Sequence, residues 1–188
     1  MDNIEQAKRK IRKVIAGSKV PEDPGHAENT LEWLLKLDPH AVPALQIAAL
    51  AHDIDRAVDS RKVQRADFEH YDDFKTAHAE NGALMLREIL EACGVSSEIS
   101  DSACQLVTHH EFGGDPASDL LKDADSISYF DVNLPQYYSR EGWQETLRRS
   151  VWGYQRLSER AKKIVQGIQH DKETLNKLLK AAIQQADL

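Results

Sequence analysis

The chain has 188 residues, of which 41% are hydrophobic, and this is enough for one domain to bury its own core. Its formal net charge of -7 at pH 7 argues against binding to a nucleic-acid polymer, because such binding needs clustered positive charge. Its two cysteines, Cys93 and Cys104, match no zinc-binding spacing, and no apolar stretch approaches the ~20 residues of a membrane span. We therefore expect a single domain over residues 1–188, cytoplasmic and without a membrane contact, and leave its oligomeric state open.

The first two predicted helices flank a proline-containing turn. Apolar residues recur at helical spacing from Asn3 to Ala16. After the turn, Asp23 is predicted to cap a second helix that runs from Pro24 to Leu37, because proline suits the first helical turn. His26 is therefore expected in the first turn of this helix.

The third predicted helix, from Pro43 to Asp55, is apolar on nearly every side, which is typical of a helix at the centre of a bundle. The next segment, Arg56 to Tyr71, is charged and lacks a clean period, so we predict a loop with a short helix near the site. A fourth helix follows over residues 72–92, and His78 lies on its apolar face.

Two further helices carry the remaining candidate residues. One begins at Ser96-Ser97; it places His110 on its apolar stripe and His109 about 100° away around the helix. The other runs from Leu120 to Phe130 and carries Asp125 on its apolar face.

The C-terminal part predicts two or three more helices, over residues 142–169 and 172–186. No segment alternates apolar and polar residues over the length of a convincing strand, so the sequence predicts an all-α fold. The segments 113–118 and 129–138, together with the loop over residues 56–71, are candidates for determining substrate specificity.

His52 and Asp53 end the apolar run Ala44–Ala51, where neither side chain has a packing reason to be. A buried carboxylate needs a hydrogen bond, an ion pair or a metal ion, because desolvating it alone is costly. Histidine together with carboxylate suits a divalent metal, and the absence of cysteine from the set argues against structural zinc. We expect one or two ions per chain, with Fe, Mn, Co, Ni, Zn or Mg as the candidates.

The order of histidine and aspartate along the chain resembles that of the HD-domain metal-dependent phosphohydrolase superfamily, which is named for an adjacent His-Asp pair. Two segments carry the resemblance most closely, Ala51-His52-Asp53-Ile54 and Leu121-Lys122-Asp123-Ala124-Asp125. The segments at His78 and at His109-His110 also resemble the HD-GYP branch. Gly114-Asp115-Pro116 stands where that branch has Gly-Tyr-Pro, so its cyclic-dinucleotide hydrolysis is not carried over.

The resemblance covers roughly residues 26–130 and implies a single-domain, all-α helical bundle of the HD type. The metal-site core is expected at about residues 22–131, with the C-terminal helices at 140–188 packed on it. The ligands implied for a first metal ion are His26, His52, Asp53 and Asp125. A second ion would share Asp53 as a bridge and would use His78 with one or both of His109 and His110.

The implied activity is hydrolysis of a small phosphorylated metabolite or nucleotide by metal-activated water, as a phosphatase or a phosphodiesterase. The candidate catalytic residues are Asp53, Arg56, His109 and His110. Arg56 and Lys122 are candidates for binding the substrate phosphate. Arg56 fits a solvated charge equally well, and Lys122 fits a solvated charge better than a substrate contact.

Two other functions fit the same residues. The ligand order also resembles that of the mixed-valent diiron oxygenases of this superfamily, which require iron and consume dioxygen. The chain could also be a noncatalytic sensor that binds a metal or a nucleotide. His78 decides between one metal and two, because a hydrogen-bonded core histidine would occupy the same helix face.

Overall fold

The computed structural model describes residues 2–187, and this part of the chain contains helices and no β-strand. The prediction of an all-α fold is confirmed. In chain order the α-helices are α1 (Asn3–Ile15), α2 (Asp23–Leu37), α3 (Pro43–Ala51), α4 (Tyr71–Ala92), α5 (Ser97–His109), α6 (Pro116–Ser128), α7 (Leu134–Gln155), α8 (Glu159–Gln166) and α9 (Glu173–Ala186).

Helix α3 lies at the centre, in contact with α1, α2, α5 and α6. Its residues are almost all buried because its sequence is apolar on every side, as predicted. The helix ends at Ala51, however, and not at Asp55 as predicted. Asp53 leaves helical geometry with φ -102° and ψ 17°, and the chain resumes as a 3-10 turn over Ile54–Ala57. This break places the His52-Asp53 pair at the end of the central helix.

Two predicted helix starts are wrong. Asp23 is the first residue of α2 and not its cap, since its carboxylate accepts a hydrogen bond from Ser18 Oγ at 2.6 Å. Helix α6 begins at Pro116 and not at Leu120, because Asp115 caps its first turn. The extra turn lengthens α6, which carries the candidate metal ligand Asp125.

The segment before α4 forms the predicted loop, with 3-10 turns at Ile54–Ala57 and Arg65–Asp67. Helix α7 begins eight residues before the predicted start at Gly142, after a π-helical turn over Tyr129–Asn133. Gly142 kinks α7 with φ 76° and ψ -175°, a conformation that favours glycine. Over residues 2–187, no helix combines the length and the apolar character that crossing a membrane requires.

Candidate metal centre and adjoining cavity

A first group of potential metal ligands joins three helices. It consists of His26 at the start of α2, His52 at the end of α3 and Asp125 on α6. The Nε2 atoms of His26 and His52 lie 3.2 Å apart. Asp125 Oδ1 lies 3.1 Å from His26 Nε2 and 3.5 Å from His52 Nε2. Three donor atoms therefore surround one point, with both histidine side chains buried.

A second group consists of Asp53, His78 on α4 and His110 at the end of α5. Asp53 Oδ1 lies 3.0 Å from His78 Nε2. His110 is fully buried, and its Nε2 lies 3.5 Å from Glu111 Oε1 without a hydrogen bond to any described residue. Because a buried nitrogen without a hydrogen bond is costly, a metal ion would satisfy this atom.

Asp53 links the two groups. While its Oδ1 faces His78, its Oδ2 lies 3.7 Å from His52 Nε2 and 3.9 Å from His26 Nε2. One carboxylate thus directs one oxygen toward each group, which is the arrangement of a bridging ligand between two metal ions.

Backbone carbonyls orient two of the four histidines. His52 Nδ1 donates to the carbonyl of Ala49 at 2.9 Å, and His110 Nδ1 donates to that of Val107 at 2.6 Å. Because Nδ1 carries the proton in each ring, Nε2 of the neutral imidazole keeps its lone pair.

Side chains orient the other two histidines. Ser128 Oγ donates to the backbone carbonyl of His26, so it accepts from His26 Nδ1 at 2.9 Å. His78 Nδ1 donates to Asp55 Oδ2 at 2.9 Å. Each of the four histidines therefore directs Nε2 inward while its other nitrogen is held, as is usual for metal-ligating histidines.

The donor set fits a divalent ion. In the neutral rings, His26 and His52 would face each other with two bare nitrogens at 3.2 Å, and a shared cation removes that repulsion. Nitrogen and carboxylate donors without cysteine suit iron, manganese, cobalt, nickel or zinc. The residues could hold one ion in each group.

Without metal, the groups interact as buried opposite charges. Burial disfavours the charged form of His52, but Asp53 and Asp125 outweigh it and raise the pKa of His52 to about 9. Burial likewise opposes protonation of His78, but its contacts with Asp53 and Asp55 raise its pKa to about 9. Burial also opposes ionisation of Asp53, but Arg56 and His52 hold its pKa well below the ordinary range. Metal binding must therefore displace protons from this site.

Arg56, predicted to contact the substrate, lies at the edge of the metal groups. Its guanidinium donates to Asp53 Oδ2 at 2.7 Å and lies 2.9 Å from Asp23 Oδ1. About a third of its side chain is exposed, and Arg56 lines the adjoining cavity. The structure thus brings Arg56 beside the carboxylate that links the two groups.

The structure does not bring His109 or Lys122 into the site. His109 is half-buried at the last turn of α5 and belongs to neither group, since the ring of His110 takes the inward position. The Lys122 ammonium pairs with Asp119 at 2.9 Å and does not line the cavity. Neither residue therefore belongs to the candidate site.

A cavity of about 350 Å³ opens beside the metal groups. One side of it is formed by five residues of α7, here called the α7 wall, namely Tyr137, Arg140, Glu145, Arg148 and Arg149. Other lining residues are aromatic or charged, namely Tyr71, Phe74, Lys75, Glu111 and Tyr129. The lining of the cavity thus combines carboxylate side chains, arginines and aromatic rings. This composition suits a small anionic molecule with an apolar part.

Several residues of the site had only weak signals in the sequence. Asp55, which holds His78, follows Asp53 by two residues at a predicted helix end. Glu111, next to the His pair, is buried between Lys75 and Arg156. Burial opposes ionisation of Glu111, but Lys75, followed by His110 and Arg156, lowers its pKa.

No curated protein and no solved structure matches the chain. One family model, described as "Domain of unknown function (DUF4202)", matches residues 1–179, which is nearly the whole chain and all of the residues that form the candidate site. The chain therefore belongs to the DUF4202 family.

Proposed function

We propose that this protein is a divalent-metal-dependent phosphohydrolase of the HD type that acts on a small phosphorylated molecule. The observation that carries the proposal is the position of Asp53, whose two oxygens face two separate groups of histidine and aspartate. The order of these residues along the chain, which resembles that of HD-domain enzymes, supports the same conclusion.

Two sets of residues would each hold one ion. His26, His52 and Asp125 would hold one ion, and His78 and His110 would hold the other, with Asp53 between them. When bound, such a pair of ions supplies a water of lowered pKa and positive charge for a phosphoryl group. The hydrogen bonds to the four Nδ1 atoms fix the direction of the ligand nitrogens before any ion arrives.

The cavity supplies the means to hold a phosphate ester. Arg56 lies next to Asp53 and presents a guanidinium, which binds phosphate oxygens in pairs. Its contacts with Asp53 and Asp23 orient it without burying it completely. A substrate phosphate beside Asp53 would thus meet both the metal groups and Arg56.

The test is phosphate release by the full-length protein, reconstituted with Mn²⁺ or Co²⁺ without oxygen, from a panel of phosphate monoesters and diesters. Asp53→Asn keeps the shape of the side chain but removes the bridging charge, and we expect it to lower the rate by at least about a hundredfold. Asp119→Asn is the matched control, because Asp119 is an exposed aspartate of α6 outside both groups.

Two results would contradict the proposal. Copurified iron, dioxygen consumption and no phosphate release would favour the diiron oxygenase, for which nitrogen-rich ligation is equally suitable. Failure of the wild-type protein to bind any metal, even after reconstitution, would leave a noncatalytic sensor.

A further inference from the structure

Arg149 differs from every other cation that lines the cavity. The other four each pair with a carboxylate, in the pairs Arg56–Asp53, Lys75–Glu111, Arg140–Glu22 and Arg148–Glu145. Arg149 has no ion pair with any residue of the described chain, although it lines the same cavity. It is a half-buried positive charge that acts electrostatically on Glu145 but forms no ion pair with it, because Glu145 pairs with Arg148.

Two aromatic rings hold the guanidinium of Arg149 in place. Its central carbon lies 4.5 Å from the ring centroid of Tyr129 and 4.7 Å from that of Trp152. Stacking of this kind restricts the side chain while leaving its five N–H donors free to bind an anion. Arg149 is thus oriented in advance for a ligand.

Asn133 provides a second unsatisfied group on the same cavity. It is 7% exposed, it lines the cavity, and its Oδ1 has no hydrogen-bond partner among residues 2–187. It ends the π-helical turn Tyr129–Asn133, and such turns are frequent at functional sites. A buried amide without a partner needs a polar group of a ligand or water.

Neither Arg149 nor Asn133 belongs to the two groups of potential metal ligands. Arg149 is linked to His78 indirectly, through successive ring contacts of Trp152, Tyr71 and Phe74, with centroids about 6 Å apart. The phosphate expected beside Asp53 already has Arg56 as its cation. Arg149 is therefore available for a different part of the same molecule.

We propose that Arg149 and Asn133 form a subsite for a second, non-reacting anionic group of the substrate, which makes the substrate class a phosphate ester that carries a second phosphate or a carboxylate. This inference rests on the proposed phosphohydrolase function for the position of the first phosphate. Arg149 binds the second anion through its N–H groups, and Asn133 hydrogen-bonds a polar atom next to it.

The test compares the binding of two matched series, prepared as non-hydrolysable phosphonate analogues, to the metal-loaded full-length protein by calorimetry. One series is the monophosphates of the straight-chain diols from ethanediol to hexanediol, and the other is the bisphosphates of the same diols. At the best chain length we expect the bisphosphate to bind about tenfold more tightly than its monophosphate, the gain expected from one charge-assisted contact. ω-Carboxyalkyl phosphates, measured alongside, show whether a carboxylate serves as the second anion.

Arg149→Met keeps the aliphatic stem between the two rings and removes the charge, and we expect it to abolish the preference for bisphosphates. Arg149→Gln is measured in parallel, so that a folding defect in one variant leaves the comparison intact. Arg149→Lys should keep part of the preference. Arg87→Met, which removes an arginine paired with Asp101 away from the cavity, should keep all of it.

The inference is wrong if no bisphosphate binds more tightly than its monophosphate, or if the preference persists in both Arg149→Met and Arg149→Gln. Phosphate release from the corresponding phosphate esters separates this failure from that of the proposed function. Hydrolysis without a bisphosphate preference overturns the subsite alone. A bisphosphate preference that depends on Arg149 without hydrolysis overturns the enzyme and leaves a binding site for dianionic ligands.

Discussion

The metal groups and the α7 wall lie on the same cavity but are built differently. In the metal groups, His26, His52, His78 and His110 are buried, and a hydrogen bond fixes one nitrogen of each ring. In the α7 wall, Arg148 is largely exposed, Arg140 is a little under half exposed, and Arg149 is held by rings alone. The comparison suggests a division in which the buried groups perform the chemistry and the wall selects the molecule.

The largest difference between two variants is expected for the adjacent histidines at the end of α5, His109 and His110. We expect His110→Gln to lower phosphate release by about a hundredfold, because it removes an inward nitrogen of the second group. His109→Gln should leave the rate within about twofold, because His109 belongs to neither group, and a mutational effect this small is below about 0.5 kcal/mol. Steady-state assays measure phosphate release by both variants. Equal losses of rate, or a larger loss in His109→Gln, would contradict the assignment of His110 to the second group.

Asp55→Asn tests the outer support of the metal groups. The change keeps the shape of a buried side chain but weakens the acceptor for His78 Nδ1. We expect the affinity for the second ion to fall by about 10- to 100-fold while that for the first ion is unchanged. Metal titration with a competing chelator measures both. An equal loss of affinity for both ions would show that the two groups do not bind their ions independently.

Gly142→Ala tests the wall without touching the metal ligands. A Cβ at this position would meet nothing within 4 Å, but φ 76° with ψ -175° is strained for alanine. We expect a loss of about 1–3 kcal/mol of folding stability, or a shift of the kink that changes KM. Urea unfolding, steady-state kinetics and metal analysis check this. A change in metal content would contradict the separation of wall and metal groups.

The pH dependence of stability should distinguish the metal-free and metal-loaded proteins. The pKa values of His52 and His78 are raised from 6.5 to about 9, so the metal-free folded state holds more protons than the unfolded state between these values. Their stabilising contribution is complete below pH 6.5 and is lost as the pH rises through about 9. Urea unfolding of chelator-treated protein should show this decline. The loaded protein should not, because its ligand nitrogens are already deprotonated.

The sequence predicted the metal groups better than the wall, for physical reasons. His52 and Asp53 are conspicuous because they end an apolar run, and His78 because it lies on an apolar helix face. Helical spacing placed His110 on the apolar stripe but left His109 as a further candidate. The end of α5 decides between them, because the Val107 carbonyl fixes the His110 ring there. Helix ends are the least certain part of a pattern-based prediction.

The α7 wall depends on tertiary packing, which a local sequence pattern does not predict. Arg149 belongs to a charged stretch that resembles any exposed helix face, and only the fold brings it to the rings of Tyr129 and Trp152. The π-helical turn that presents Asn133 also has no sequence signature. The segment around it was predicted to affect specificity only because it is rich in aromatic residues.

The measurement that tests the central claim most directly is the metal content of the protein purified without oxygen, for the wild type and for His78→Ala. The account predicts two ions per chain in the wild type and one in the variant, because His78 belongs to the second group alone. One ion in both proteins would contradict the binuclear site and would make His78 a core histidine held by Asp53 and Asp55.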